Sequence, residues 1–285
     1  MNRIPTSRPS LKRSLVIAAA TAATAAAVGA GTYSASAGEV GGHKPGWVKP
    51  TIVLEHGAFA DASSWNGVIE RLRKAGYPVI ATPNPLRGPA HDAAYLQSVL
   101  NTINGPVVLV GHSYGGTVIT HAAAGNENKV KALVYIAAFI PDHGETSLGL
   151  SNKYPGSTLG NVVQPTPYTL PDGTTGTDLT IKTDKFRQQF AADVPHDHAT
   201  LMATTQRPIS AAALEEKTTK TAWKTIPSWS LIATQDLNIP PTAQRYMSDR
   251  ANAHTIETSA SHAVSVSRPD TVTRIIEQAA RTTTR

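Results

Sequence analysis

The chain contains no cysteine. That excludes disulfide staples, a Cys-ligated zinc site, a thiol nucleophile and lipid attachment through an N-terminal cysteine. Aromatic residues are scarce at 6% and charged residues at 16%, and no acidic residue precedes Glu39. There are no internal repeats. Stability therefore has to come from a buried core, which a domain of this length can supply. The formal charge of +6 is concentrated at the start of the chain. Residues 1–37 carry Arg3, Arg8, Lys12 and Arg13 and no acid, which leaves 22 basic against 20 acidic side chains beyond them. With that near-balance and no basic stripe, nucleic acid is not an expected partner.

The basic start leads into Ser14 to about Ala30, which is almost all Ala, Val, Leu, Ile and Thr, and then into Ala35-Ser36-Ala37. A charged start, an apolar stretch and an A-x-A site predict that residues 1–37 are a secretory signal peptide. The expected destination is extracellular, with no stable membrane association after cleavage. The competing reading, an uncleaved anchor, meets a stretch that is short, Ala-rich and moderately polar for a span. Lys12-Arg13 is not a twin arginine, so the general export route is expected. Residues 38–50, rich in Gly, Lys and Pro, read as a flexible lead-in.

From residue 51 apolar runs alternate with amphipathic stretches, the pattern of a parallel sheet covered by helices. Strands are predicted at 51–55, 77–81, 106–110, 130–137, 229–233 and 254–258. Helices are predicted at 63–76, at 91–103, directly after Ser113, at 241–251 and at 268–281. The fold class is α/β, a mostly parallel six-stranded sheet with helices on both faces. Residues 141–225 break the alternation with seven prolines. Thr169-Leu-Pro-Asp-Gly-Thr reads as a hairpin turn, and helical stretches follow at about 183–192 and 196–206. This segment is read as a cap inserted between two strands of one domain, 51–285.

Gly111-His112-Ser113-Tyr114-Gly115 directly follows the apolar run Pro106–Val110. G-x-S-x-G alone arises by chance in about one chain in ten of this size. Here a strand precedes it and a helix follows, which puts the serine on a sharp turn at the carboxyl end of a sheet. A serine hydroxyl is a poor nucleophile without a base in hydrogen-bond reach, and the base needs an acid that fixes its tautomer. Asp236 follows the strand at 229–233, where a turn or helix-capping Asp is the plain alternative. His262 follows the last strand and alone among the ten histidines completes the order Ser, Asp, His. For an oxyanion hole the expected donors are the N–H of Tyr114 and that of Ala58 in the loop His56–Asp61, with Phe59 as the fallback. Phe59 and Met202 are candidate pocket residues. No metal or cofactor is called for.

These residues together resemble the α/β-hydrolase superfamily. The resemblance rests on His56-Gly57 followed by Trp65, Gly111–Gly116, Asp236–Pro241 and Ser261–Val264, and it spans about 51–281. It implies the compact six-stranded branch that contains plant methyl esterases, hydroxynitrile lyases and small bacterial esterases. By that resemblance Ser113 is the nucleophile, His262 the base and then acid, and Asp236 its orienter, in a serine esterase acting on a small-molecule carboxylic ester. Epoxide hydrolases and dehalogenases of the superfamily carry Asp where this chain has Ser113. The hydroxynitrile lyases carry Thr in place of Gly57 and Lys in place of Ala263. Lactone, thioester or amide cleavage and cofactor-free perhydrolysis remain open on the same residues. So does a non-catalytic ligand-binding role.

Overall fold

The computed structural model describes residues 49–283. The predicted signal peptide and nearly all of the predicted lead-in lie outside the described residues. The first part of the chain alternates β1 (Thr51–Glu55), α1 (Asn66–Lys74), β2 (Val79–Thr82), α2 (Pro89–Thr102), β3 (Val107–His112), α3 (Tyr114–Ala122) and β4 (Val130–Ile136). An excursion follows through α4 (Ser147–Ser151), β5 (Val163–Thr169), β6 (Thr175–Ile181), α5 (Thr183–Phe190), α6 (His196–Thr205), β7 (Ile209–Ser210) and α7 (Ala211–Glu215). The chain then returns with β8 (Ser228–Ala233), α8 (Pro241–Arg250), β9 (His254–Thr258), α9 (Val264–Ser267) and α10 (Pro269–Thr283).

The main sheet has the order β2-β1-β3-β4-β8-β9, and every neighbouring pair in it is parallel. Its inner strands β1, β3, β4 and β8 are buried almost throughout because both faces are covered. Val53, Val107, Leu109, Leu133 and Tyr135 face Leu96 and Leu100 of α2, Val118 and Ile119 of α3 and Met247 of α8. Ile52, Leu54, Val108, Val110, Val134 and Ile136 face Val68 and Leu72 of α1 and Val272, Ile275 and Ile276 of α10. Each such side chain taken fully out of water contributes about 1.5–3 kcal/mol, so the two-sided burial of β3 anchors everything attached to its end.

Several boundaries shift from the sequence-based expectation for local reasons. The predicted helix 63–76 begins as a 3-10 turn over Ala62–Trp65, capped by the Asp61 carboxylate accepting from the Ser63 N–H at 2.7 Å. It ends at Lys74, and Gly76 takes a left-handed φ of 79°. The strand expected at 77–81 starts at Val79, after Pro78, whose carbonyl accepts from Ile52. Helix α2 starts two residues earlier than expected, at Pro89, where a fixed φ suits a first helical position. The excursion holds more strand than its composition suggests. β5 and β6 form an antiparallel hairpin around the turn at 169–174, and β7 adds a short third strand. Helices α5 and α6 fall where helical stretches were expected.

Candidate active site

Backbone strain gathers at one edge of the sheet. Phe59, Leu86, Ser113 and Ala137 have φ between 43° and 61°, and each lies just past the carboxyl end of β1, β2, β3 or β4. Such conformations cost of order 1–3 kcal/mol each and persist only where the surroundings hold them. Ser113 sits at φ 54°, ψ −124°, between β3 and α3. The turn is tight enough that glycine is required around it. A Cβ on Gly115 would lie 2.6 Å from the Glu55 carbonyl oxygen, and one on Gly57 would lie 2.7 Å from both the His112 carbonyl oxygen and the Ser113 Cβ.

The chain ends of β8 and β9 bring Asp236 and His262 to this serine. Ser113 Oγ lies 2.8 Å from His262 Nε2, and His262 Nδ1 lies 2.6 Å from Asp236 Oδ2. The carboxylate fixes the proton on Nδ1, so the Nε2 lone pair faces the serine hydroxyl. Asp236 is held in turn. Its Oδ1 accepts from the N–H groups of Asn238 (2.7 Å) and Ile239 (3.0 Å), and its Oδ2 accepts from Gln244 Nε2 at 2.9 Å. All three principal side chains are buried. His112, the residue before the serine, supports the histidine from below. Its Nε2–H donates to the His262 carbonyl at 2.9 Å, and burial, reinforced by the nearby His262, pushes its pKa well below the usual histidine range.

The loop after β1 faces the serine from the other side. The Phe59 N–H donates to the Arg207 carbonyl at 3.1 Å, so of the two candidate donors in this loop Ala58 is the one not engaged there. Asn84 N–H donates to His56 Nε2 at 2.9 Å, which puts the ring proton on Nδ1, and that Nδ1–H donates to the Gly57 carbonyl at 2.8 Å. Holding the Gly57 carbonyl fixes the plane of the Gly57–Ala58 peptide and hence the direction of the Ala58 N–H. Burial lowers the His56 pKa to about 4, with the Gly57 hydrogen bond opposing the shift. The neighbouring Glu55 is fully buried against the Thr82 hydroxyl. Burial raises its pKa to about 8, the Thr82 contact opposing this and the Asp92 charge adding to it. Tyr114 starts α3, and its hydroxyl donates to buried Asp92 at 2.9 Å, which fixes the residue whose N–H follows the serine.

A cavity of about 40 Å³ opens onto Ser113, bounded by Ala58, Phe59, Tyr114, Phe139 and Ile239 among others. Met202 does not line it. It lines a neighbouring cavity on the other side of Phe59, with His198 and Thr205, so of the two predicted pocket residues only Phe59 borders the serine. Sequence reasoning missed Glu55, Asn84, Asp92, Gln244 and Asn238, whose roles depend on contacts far along the chain. No cluster of metal-binding side chains occurs among the described residues.

The fold and the geometry define an α/β hydrolase, and comparison with known proteins agrees. The family model described as "Alpha/beta hydrolase family" matches residues 52–275, so this chain belongs to that family. Relatives named esterase and hydrolase stand beside it. It is 36% identical over 114 residues to a carbendazim hydrolyzing esterase of Nocardioides sp., a match covering 36% of this chain and 47% of that protein. The chain thus spans about half the length of that relative. It is 25% identical to probable hydrolase R7 of Phoma sp. over 81% of this chain and 98% of the relative. The crystal structure of polyneuridine aldehyde esterase shares the fold at a TM-score of 0.71 and 20% identity, covering 81% of this chain and 99% of that one.

Proposed function

We propose that this protein is an exported serine esterase that cleaves small carboxylic esters through an acyl-enzyme. The observation that carries the reading is the unbroken hydrogen-bond line from Ser113 Oγ through His262 to Asp236. In the first step Ser113 attacks the ester carbonyl while His262 Nε2 takes its proton, and Asp236 stabilises the imidazolium. The N–H groups of Ala58 and Tyr114 hold the oxyanion. His262 returns the proton to the departing alcohol. Water, deprotonated by the same nitrogen, then attacks the acyl-serine and frees the acid. The small apolar cavity beside Ser113 favours a short acyl or alcohol group over a long chain. Esterases among the relatives favour ester chemistry, and Ala263 stands where the resembling lyases carry Lys. Export rests on the basic start, the apolar stretch and Ala35-Ser36-Ala37.

The test uses residues 38–285 against 4-nitrophenyl esters from acetate to decanoate, with a fluorophosphonate probe and Ser113→Ala alongside. Hydrolysis of the short esters and labelling that both vanish in Ser113→Ala are expected. No turnover of any ester and no labelling of Ser113 would overturn the esterase reading.

A further inference from the structure

The wall of the Ser113 cavity is apolar apart from a few side chains, and nearly all of those are already engaged. Ser113 is paired with His262, Ser147 with Thr117 at 3.0 Å, and the Tyr114 hydroxyl with Asp92. The Ser151 hydroxyl donates to the Asn238 carbonyl at 2.8 Å. Asn238 is different. It is 3% exposed and lines the same cavity, yet its Nδ2 is buried with no partner among the described residues.

The surrounding network determines which end of the Asn238 amide is left without a partner. Gln189 Nε2 donates to the Leu237 carbonyl at 2.8 Å, and Gln189 Oε1 accepts from the Thr158 hydroxyl at 2.8 Å. The Leu237 bond fixes the Gln189 amide, because a carbonyl only accepts, and the Thr158 hydroxyl then donates to the oxygen. The same Nε2 donates to the Asn238 side chain at 2.8 Å, so the atom it meets is the oxygen, Oδ1. Flipping Asn238 would set two NH2 groups against each other. The amide nitrogen is therefore held away from Gln189 with its protons unspent. A buried donor left without an acceptor destabilises the site, and that cost is recovered when a ligand brings an oxygen to it.

We propose that Asn238 is a substrate-binding residue that selects esters carrying a second acceptor oxygen, a ketone or similar carbonyl, on the group that fills this cavity. The proposal rests on the esterase reading and deepens it. The chemistry at Ser113 is unchanged; Asn238 adds one N–H···O bond to an otherwise apolar pocket. A site built to bond a polar group discriminates against the analogue that lacks it, because the site's own donor is then left unpaired.

The experiment compares shape-matched ester pairs that differ only in a carbonyl. On the acyl side these are 4-nitrophenyl levulinate and 4-nitrophenyl isocaproate. On the alcohol side they are 3-oxobutyl butyrate and isoamyl butyrate. The readout is the ratio of kcat/KM for the keto ester over the alkyl ester, divided by the same ratio for alkaline hydrolysis, so that intrinsic reactivity cancels. It is measured for the wild type, for Asn238→Leu, and for Asn238→Asp, which keeps an oxygen for Gln189 and replaces the donor. The proposal expects a corrected ratio of about ten or more in one pair for the wild type, falling to about one in Asn238→Leu and to one or below in Asn238→Asp. A wild-type ratio near one in both pairs, or a ratio that survives in whichever variant folds, overturns the proposal and leaves the esterase reading intact. Failure to hydrolyse any of the four esters, with no fluorophosphonate labelling, overturns both.

Discussion

The carboxyl edge of the main sheet and the excursion between β4 and β8 are built on opposite terms. Every residue of β3 is buried, and the loops leaving β1 to β4 hold four non-glycine residues at positive φ. In the hairpin β5–β6 the outer strand is mostly exposed and the inner one half-buried, and Leu170 at its tip is 47% exposed. The two meet along much of that edge, through the Phe59–Arg207 and Ala263–Phe190 backbone bonds, the Gln189 bonds to Leu237 and Asn238 and an ion pair of 2.7 Å between Arg87 and Asp178. The contrast separates two requirements. Chemistry needs atoms held to fractions of an ångström, which a core covered on both faces supplies. Selection of substrate needs walls that can vary, and the excursion supplies Leu148, Ser151, Leu159 and Leu214 to the Ser113 cavity.

Substitutions sharpen this contrast in order of size. Asp236→Asn keeps the size of the side chain but lets the histidine adopt the wrong tautomer and sets an NH2 group against a buried donor, so turnover is expected to fall about 10⁴-fold and the thermal midpoint to drop. Steady-state kinetics on a short 4-nitrophenyl ester checks it. Gly115→Ala drives a Cβ to 2.6 Å from the Glu55 carbonyl oxygen and cannot relax without moving β1 or α3. It is expected to destabilise by about 2–3 kcal/mol in urea unfolding and to lower turnover as well.

The third prediction concerns pH. Glu55 titrates at about 8 in the folded protein against 4.5 in an unfolded chain, so the folded state holds its proton longer and stability falls as pH rises through that window. His56 titrates at about 4 against 6.5, so the unfolded state takes up the proton first and stability falls as pH drops through its window. Between about pH 4.5 and 6.5 the two slopes oppose each other. Above 6.5 only the Glu55 loss remains, at about 1.4 kcal/mol per pH unit. Glu55→Gln should therefore raise the thermal midpoint at pH 8 and leave it nearly unchanged at pH 4. An equal shift at both would remove Glu55 as the cause. The smallest effect is expected at the hairpin tip, where Leu170→Ser should alter stability by less than about 0.5 kcal/mol and leave ester turnover intact.

The same contrast explains what could be read from the sequence. The inner strands β1, β3, β4 and β8 read as apolar runs because both of their faces are covered, whereas the edge strand β9 is largely exposed, and Ser113, Asp236 and His262 followed from their order at strand ends. β5 was not legible. Pro165 and Pro167 lie inside it, and proline is tolerated there because β5 is an edge strand, paired on one side only by β6. The turn between β5 and β6 was visible because its signal is local. Met202 was assigned to the pocket on composition alone, and the packing of α6 puts it behind Phe59 instead. Gln244 and Asn238 read as ordinary helix and turn residues. Gln244 gains meaning only through Asp236, eight positions away, and Asn238 only through Gln189, 49 positions away.

The central claim is that Ser113 and His262 work as one unit rather than as two independent contributors. Its most direct test is a double-mutant cycle of Ser113→Ala, His262→Ala and the combined variant, with kcat measured on one short 4-nitrophenyl ester. Residues that act in a single proton transfer are not additive, so the double variant should be no slower than the slower single one. A double variant whose loss equals the product of the two single losses would contradict the account.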